Sequence, residues 1–155
     1  MIALVQRVSM ARVMVGDESI GAIGPGLLAL VCAQADESME HAIELAGRVV
    51  RYRIFADAAG RMNRSLLDRQ AAGEAAGALL VPQFTLAADT RSGLRPGFSR
   101  AAPPALARQR FDEFCHAMAG LVSQTQTGRF GADMQVMLIN DGPVTFWLEH
   151  PARRP

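Results

Sequence analysis

The chain has 155 residues, half of them hydrophobic and a fifth charged, and its sixteen cations, all Arg, stand against fifteen Asp and Glu for a net charge of +1. This composition is too apolar for intrinsic disorder, holds no run near the ~18 to 20 apolar residues of a membrane helix, and excludes a polybasic surface that grips nucleic acid broadly. A chain of this length buries roughly two-thirds of its unfolded surface, so one domain is expected over 1–150, with a frayed tail at 151–155. Cys32 and Cys115 lie too far apart, and without further ligands, to suggest a disulfide framework or a zinc site, and both are expected to be buried. Met1 to Val8 lacks the basic and apolar regions of a signal peptide, so an unprocessed cytoplasmic chain is expected.

In chain order, Ile2 to Val8, Val13 to Val15 and Leu27 to Cys32 read as three strands joined by tight turns at Gly16–Ser19 and Gly24-Pro25-Gly26. Met39, Ala42, Ile43, Ala46, Val49 and Val50 then recur at helical spacing, which predicts a helix capped by Asp36 and ending near Tyr52. Asp57-Ala58-Ala59-Gly60 suits a hairpin turn between Ile54-Phe55 and Met62, and Ala71 to Gly77 suits a loop. Ala78 to Phe84 reads as a buried strand in which Pro82, lacking a backbone donor, belongs at an edge, a bulge or a strand end. Asp89 to Pro104 is a long arginine-bearing loop, and Pro103-Pro104 opens a second helix whose apolar stripe is Leu106, Phe111, Phe114, Met118 and Leu121, stopping near Gly120. Ser123 to Phe130, Met134 to Ile139 and Val144 to Leu148 complete the strands, broken at Gly128, Gly131 and Asp141-Gly142-Pro143. Strands and helices do not alternate as in a doubly wound sheet. The fold class expected is α+β, with a mostly antiparallel, barrel-like sheet and two main helices.

The usual catalytic groups are nearly absent. His41 and His116 fall on polar helix faces and His150 near the C-terminus, so all three are expected to be solvated, and there is no Walker loop, Ser elbow or pair of His at metal spacing. No metal and no cofactor are expected. What remains lies in Pro82-Gln83-Phe84-Thr85-Leu86, in the loop Asp89 to Arg100, and in Gly128 to Met134 running on to Asn140-Asp141-Gly142-Pro143-Val144-Thr145. By composition alone these are a strand end, a solvated loop with Arg91 paired to Asp89, and two tight turns.

At these places the sequence resembles the D-aminoacyl-tRNA deacylases. The segments IALVQRVSMARV, IGPGLLAL, RIFADAAGRMNRSLLD, QFTLAADTRSGLRPGFSRAAPP and TGRFGADMQVMLINDGPVTFWLE follow the family in order and spacing over nearly the whole chain. The resemblance implies hydrolysis of the ester between a D-amino acid and the terminal adenosine of tRNA by a homodimer. Pro82, Gln83, Phe84 and Thr85 of one subunit would form the catalytic segment, with Pro82 standing where the family has Ser. Gly142 and Pro143, joined by a cis bond in the family, would be inserted from the other subunit as the chirality filter, and Arg91 and Arg95 would touch the acceptor end of the tRNA.

An enzyme that accepts many D-amino acids cannot recognise the side chain, and must read the amino group and Cα hydrogen. Backbone at Gly142, with no Cβ, and at Pro143 would exclude an L side chain by collision. Glycine has nothing to exclude, so glycyl-tRNA is expected as a further substrate. Amides at Phe84 and Thr85 would hold the oxyanion. Thr85 is either a nucleophile, for which no base is near in sequence, or a positioning group for a water assisted by the substrate's 2′-hydroxyl. Two other functions fit the residues: a non-catalytic dimeric RNA- or nucleotide-binding module, motivated by Pro82, and a small-molecule esterase using Thr85. Neither a membrane nor DNA is an expected partner. Near-neutrality predicts weak tRNA affinity with a shallow salt slope.

Overall fold

The computed structural model describes residues 1–91 and 93–150, so the expected frayed tail at 151–155 lies outside the described residues. Its elements are β1 (Ile2–Val15), β2 (Glu18–Ile23), β3 (Gly26–Cys32), α1 (Met39–Arg51), β4 (Phe55–Ala56), β5 (Met62–Arg64), α2 (Leu66–Ala71), β6 (Gly77–Pro82), a single 3₁₀ turn (Phe84–Ala87), α3 (Pro104–Leu121), β7 (Thr125–Thr127) and β8 (Gln135–Glu149). The main sheet runs β2-β1-β3-β6-β7, with β8 also on β1. Pairs β1–β2, β1–β3 and β1–β8 are antiparallel, while β3–β6 and β6–β7 are parallel. With β2 curling back towards β6 and β7, the sheet nearly closes into a barrel, as the α+β reading expected.

The continuous apolar runs of β3 and β6 follow from burial on both faces. Leu27, Ala29, Val31, Ala78 and Leu80 pack against α1 and α3 through Leu45, Val49, Phe111, Phe114 and Met118. The alternate residues Leu28, Leu79 and Val81 enter a second cluster inside the barrel with Val8, Ala11 and Val13. Val8 and Ala11, three apart, share that face because the β1 register shifts between Val8 and Met10. The expected pair of strands over Ile2–Val8 and Val13–Val15 is therefore one long bent strand.

Helix boundaries differ from the pattern where side-chain chemistry decides. The N-cap of α1 is Ser38, not Asp36, and the Ser38 amide donates to His41 Nδ1 at 3.2 Å. His150 contacts Glu44 and sits edge-on to His41, so of the three histidines expected to be solvated only His116 is exposed. Short α2 was not anticipated, although Ser65 and Asp68 carry its signal: the Asp68 amide donates to Ser65 Oγ at 3.1 Å, and Asp68 Oδ2 accepts from the Ser65 amide at 2.7 Å. Helix α3 passes Gly120 to end at Leu121, its stripe supplied by Ala107, Phe111, Phe114 and Met118. The expected break at Asp141-Gly142-Pro143 does not end β8, which pairs with β1 on both sides of it.

Strands β3 and β6 come so close at Gly26 and Gly77 that a Cβ on Gly26, where φ is +158°, would stand 2.0 Å from the Gly77 carbonyl oxygen. Gly26→Ala is expected to cost about 3–5 kcal/mol of stability in urea unfolding, because the clash is with backbone that cannot rotate away; a loss below about 1 kcal/mol would contradict the close approach. Both cysteines are unpaired; Cys32 is buried as expected, whereas Cys115 on α3 is only half-buried. Burial pushes the Cys32 thiol up to about 11 and the Cys115 thiol to about 12, the latter helped by Asp112. Each thiol's contribution to stability is therefore complete below the ordinary value of 9.0 and is lost as pH rises through the folded-state value. Alkylation by iodoacetamide at pH 8 should be slow in the native protein and fast in urea, and equal rates in both would refute the burial.

Candidate active site

The C-terminal end of β6 opens into a cavity of about 700 Å³. Its walls come from Val81 to Phe84, from Phe98, Ala101 to Pro104 and Ala107, and from Phe130 to Ala132, Met134 and Val136, so the Pro82-Gln83-Phe84 segment and the loop after Gly128 meet in space as well as in the expected motif. A volume of this size suits a nucleoside-sized ligand. Its lining contains no Asp, Glu, His or Arg. Acid–base catalysis by a titratable side chain in the wall is therefore not what this cavity offers.

Pro82 is the last residue of β6, as its missing donor requires. Along β6 the even-numbered residues face β7: the Ala78 amide donates to Gln124 O at 2.9 Å, and Leu80 O accepts from the Gly128 amide at 2.7 Å. Pro82 would face the same side, where β7 has already ended at Thr127, so the ladder loses no bond. The next amide, of Gln83, returns to β3 and donates to Val31 O at 2.8 Å.

Beyond it the backbone turns through the 3₁₀ segment Phe84–Ala87. The first donors of such a turn have no partner within it, and among the described residues the Phe84 and Thr85 amides have no acceptor. Phe84 lines the cavity and Thr85, the next residue, does not; two adjacent free N–H groups at this position suit a developing oxyanion. The Thr85 hydroxyl accepts from the Gln83 side-chain amide, and Thr85 is exposed. Beneath the turn, the Cys32 thiol is 3.5 Å from the Phe84 carbonyl, and the Phe84 ring leans on Phe98 at 5.2 Å between centroids.

Gly142 and Pro143 are not in this cavity. They lie on an exposed excursion of β8, joined by a cis peptide bond, with φ of +140° at Gly142. Between the pairs Gln6–Thr145 and Val8–Asn140, β8 carries three more residues than β1, and these are what protrude. Arg7 fastens their base: its Nε donates to Asp141 O at 3.0 Å and lies 3.1 Å from Asp141 Oδ2, and its Nη1 donates to Ile54 O at 2.7 Å. Asn140 fastens the other side, where its Oδ1 accepts from the Val144 amide at 2.7 Å and its Nδ2 donates to Thr145 Oγ1 at 2.8 Å. Asn140 and Thr145 bound the segment singled out from the sequence, where they carried no role of their own, and Arg7 was not among the residues singled out. An Arg inside an apolar strand and an Asn just before Asp-Gly-Pro were the available signals.

The loop after the 3₁₀ turn is pinned by paired bonds between Asp89 and Gly97, whose amides donate to each other's carbonyls at 2.7 and 3.1 Å. Arg91 grips Asp89 through Nε at 2.9 Å and Nη2 at 2.6 Å, which holds the Asp89 carboxyl well below the usual carboxylate range. Arg95 is exposed and lies apart from the cavity lining. Among the described residues, no group of three His, Cys, Asp or Glu could hold a metal ion, and no helix is long and apolar enough to cross a membrane.

A family model described as D-Tyr-tRNA(Tyr) deacylase matches residues 4–149. The D-aminoacyl-tRNA deacylases of Paraburkholderia phytofirmans and Herminiimonas arsenicoxydans are each 56% identical over 149 residues, covering 96% of this chain and 98% and 97% of theirs. Among solved structures, one named c-Myc DNA Unwinding Element Binding Protein is similar with a TM-score of 0.90 and 35% identity, over 98% of this chain and 100% of that one. A probable eukaryotic D-amino acid tRNA deacylase shares the fold, with a TM-score of 0.80 at 15% identity over 95% of this chain and 97% of the other. With the model spanning almost the whole length and relatives more than half identical, the chain belongs to the D-Tyr-tRNA(Tyr) deacylase family.

Proposed function

We propose that the protein hydrolyses the ester of D-aminoacyl-tRNA, releasing the amino acid and a tRNA with a free 3′-hydroxyl. The observation that carries the chemistry is the pair of partnerless amides at Phe84 and Thr85 on the rim of a cavity without titratable groups. Water adds to the ester carbon, the amides accept the charge on the carbonyl oxygen, and the ribose oxygen leaves with the proton. One such donor contributes roughly 10²–10³ in rate in other hydrolases. No base lines the cavity to deprotonate Thr85, and its hydroxyl oxygen accepts a hydrogen bond from the Gln83 side-chain amide, which lowers its nucleophilicity. Thr85 therefore positions rather than attacks, and the substrate's 2′-hydroxyl assists the water. A substrate of this kind places the enzyme in the cytoplasm.

The working unit of this reading is a homodimer. Gly142 and Pro143 are exposed and are not among the residues lining their own chain's cavity, and among the described residues β8 has β1 on one edge only. On the outward face of β8, Ile139 is 56% and Trp147 50% exposed, an apolar stripe beside the excursion that a second copy would cover. The two-fold arrangement would bring each Gly142-Pro143 to the partner's cavity. There its backbone would meet the amino group and exclude an L side chain, while glycyl-tRNA would pass.

Purified protein should hydrolyse D-tyrosyl-tRNA and glycyl-tRNA and spare L-tyrosyl-tRNA; inertness towards all three would sink the proposal in favour of a binding module. Replacing the terminal adenosine by its 2′-deoxy form should slow turnover far more than Thr85→Ala does, and a loss of several orders of magnitude in Thr85→Ala would instead make Thr85 the nucleophile. A Cβ on Gly142 would stand 2.6 Å from Val144 Cγ2 and 3.0 Å from the Val144 amide nitrogen, so Gly142→Ala must displace the excursion. At least about a tenfold fall in D-tyrosyl-tRNA turnover is expected with an unchanged far-UV spectrum, and undiminished, fully selective turnover would remove the excursion from the mechanism.

A further inference from the structure

The substrate proposed above divides into two chemically different parts. The aminoacyl ester and its adenosine carry no phosphate, and every phosphate lies beyond the 5′-oxygen of that nucleoside. The cavity is divided in the same way, since its lining has no charged residue and any cation that meets the RNA backbone must stand at its edge. Several arginines are already paired with carboxylates: Arg91 with Asp89, Arg100 with Glu149, Arg110 with Glu113 and Arg129 with Glu18.

Arg108 differs from them. It follows Ala107, a wall residue, on α3, and its guanidinium carbon lies 5.1 Å from the ring centroid of Phe130, another wall residue. Its Nη2 donates to the Phe130 carbonyl at 3.3 Å. Arg108 is exposed, and among the described residues no carboxylate is within ion-pair distance of it. Stacking and the carbonyl bond fix the plane of the guanidinium and use one of its five donors, leaving the others for an anion. Arg95, also without a carboxylate, is on an exposed loop and has no such support.

We infer that Arg108 is a substrate-binding residue that takes the phosphodiester joining the terminal adenosine to the nucleotide before it. This rests on the deacylase reading, and it makes α3 part of the RNA contact surface. A planar fork held in advance suits phosphate better than a mobile ammonium.

The test compares D-tyrosyl-tRNA with D-tyrosyl-adenosine, which has the same ester and no phosphate. Arg108→Gln should raise KM for D-tyrosyl-tRNA about tenfold at unchanged kcat, and make the fall of log kcat/KM with log salt shallower by about 0.7. It should leave D-tyrosyl-adenosine hydrolysis untouched, and Arg108→Lys should recover the salt slope. Equal losses on both substrates would mean that Arg108 only shapes the Phe130 wall, and no loss on either would dismiss it altogether; both outcomes overturn the inference. Fluorescence anisotropy with an acceptor-stem RNA ending in CCA keeps the two readings separable. If the wild type turns over nothing, the deacylase reading fails, while tenfold weaker RNA binding by Arg108→Gln still upholds the phosphate contact and unchanged binding rejects it.

Discussion

Strand β1 pairs with β8 along nearly its whole length, but between Gln6 and Val8 it offers two steps where β8 takes five, from Asn140 to Thr145. A ladder with one face packed against helices cannot absorb that excess by slipping, because a slip would turn every buried side chain outwards. The surplus is expelled as the Asp141 to Pro143 excursion, and Arg7 and Asn140 bind its two ends. Arg7 reaches the Ile54 carbonyl at the same time, so the excursion is tied to the segment entering the small β4–β5 hairpin. The backbone geometry of Gly142 and Pro143 is thus set by register and by polar side chains outside the dipeptide.

The cavity follows a different logic. Its polar features are main-chain groups at the end of β6 and the start of the 3₁₀ turn, and apart from Gln83 its side chains are apolar or aromatic. For an activated ester this is sufficient equipment, since the reaction needs charge stabilisation and a placed water more than a strong base. Pro82 fits the same scheme: it sits where β7 has ended, so it contributes wall and direction without removing a ladder bond. On the proposed mechanism it also leaves untouched the amide donors, which begin two residues later at Phe84.

Much of the fold was legible because burial on two faces writes continuous apolar runs, as in β3 and β6, and burial on one face writes the helical periods of α1 and α3. The Asp57 to Gly60 turn and the loop from Asp89 were legible through turn residues. The places that eluded periodicity are those governed by individual hydrogen bonds. The Ser38 cap displaced the equally suitable Asp36, and α2 is a six-residue helix too short to show a period. The bend that fuses two apparent strands into β1 is a register effect visible only with β8 in place. For the site, the segments holding Phe98, Phe130 and Asn140 could be named from the sequence, but the part Arg7 plays comes from contacts with Asp141 and Ile54 across long sequence separations, which no spacing rule encodes.

The cavity draws its walls from Val81 to Phe84, from the Phe98 to Ala107 approach to α3, and from the loop carrying Phe130 to Val136. These segments are held by different neighbours: Gln83 by β3, Pro104 to Ala107 as the start of α3, and Val136 by β1. Local unfolding of any one dissolves the binding volume, so substrate should bind only to the fully assembled chain. A ligand that fills the cavity would in turn draw its stabilisation from the whole domain and raise the unfolding temperature cooperatively, with no single segment protected ahead of the rest.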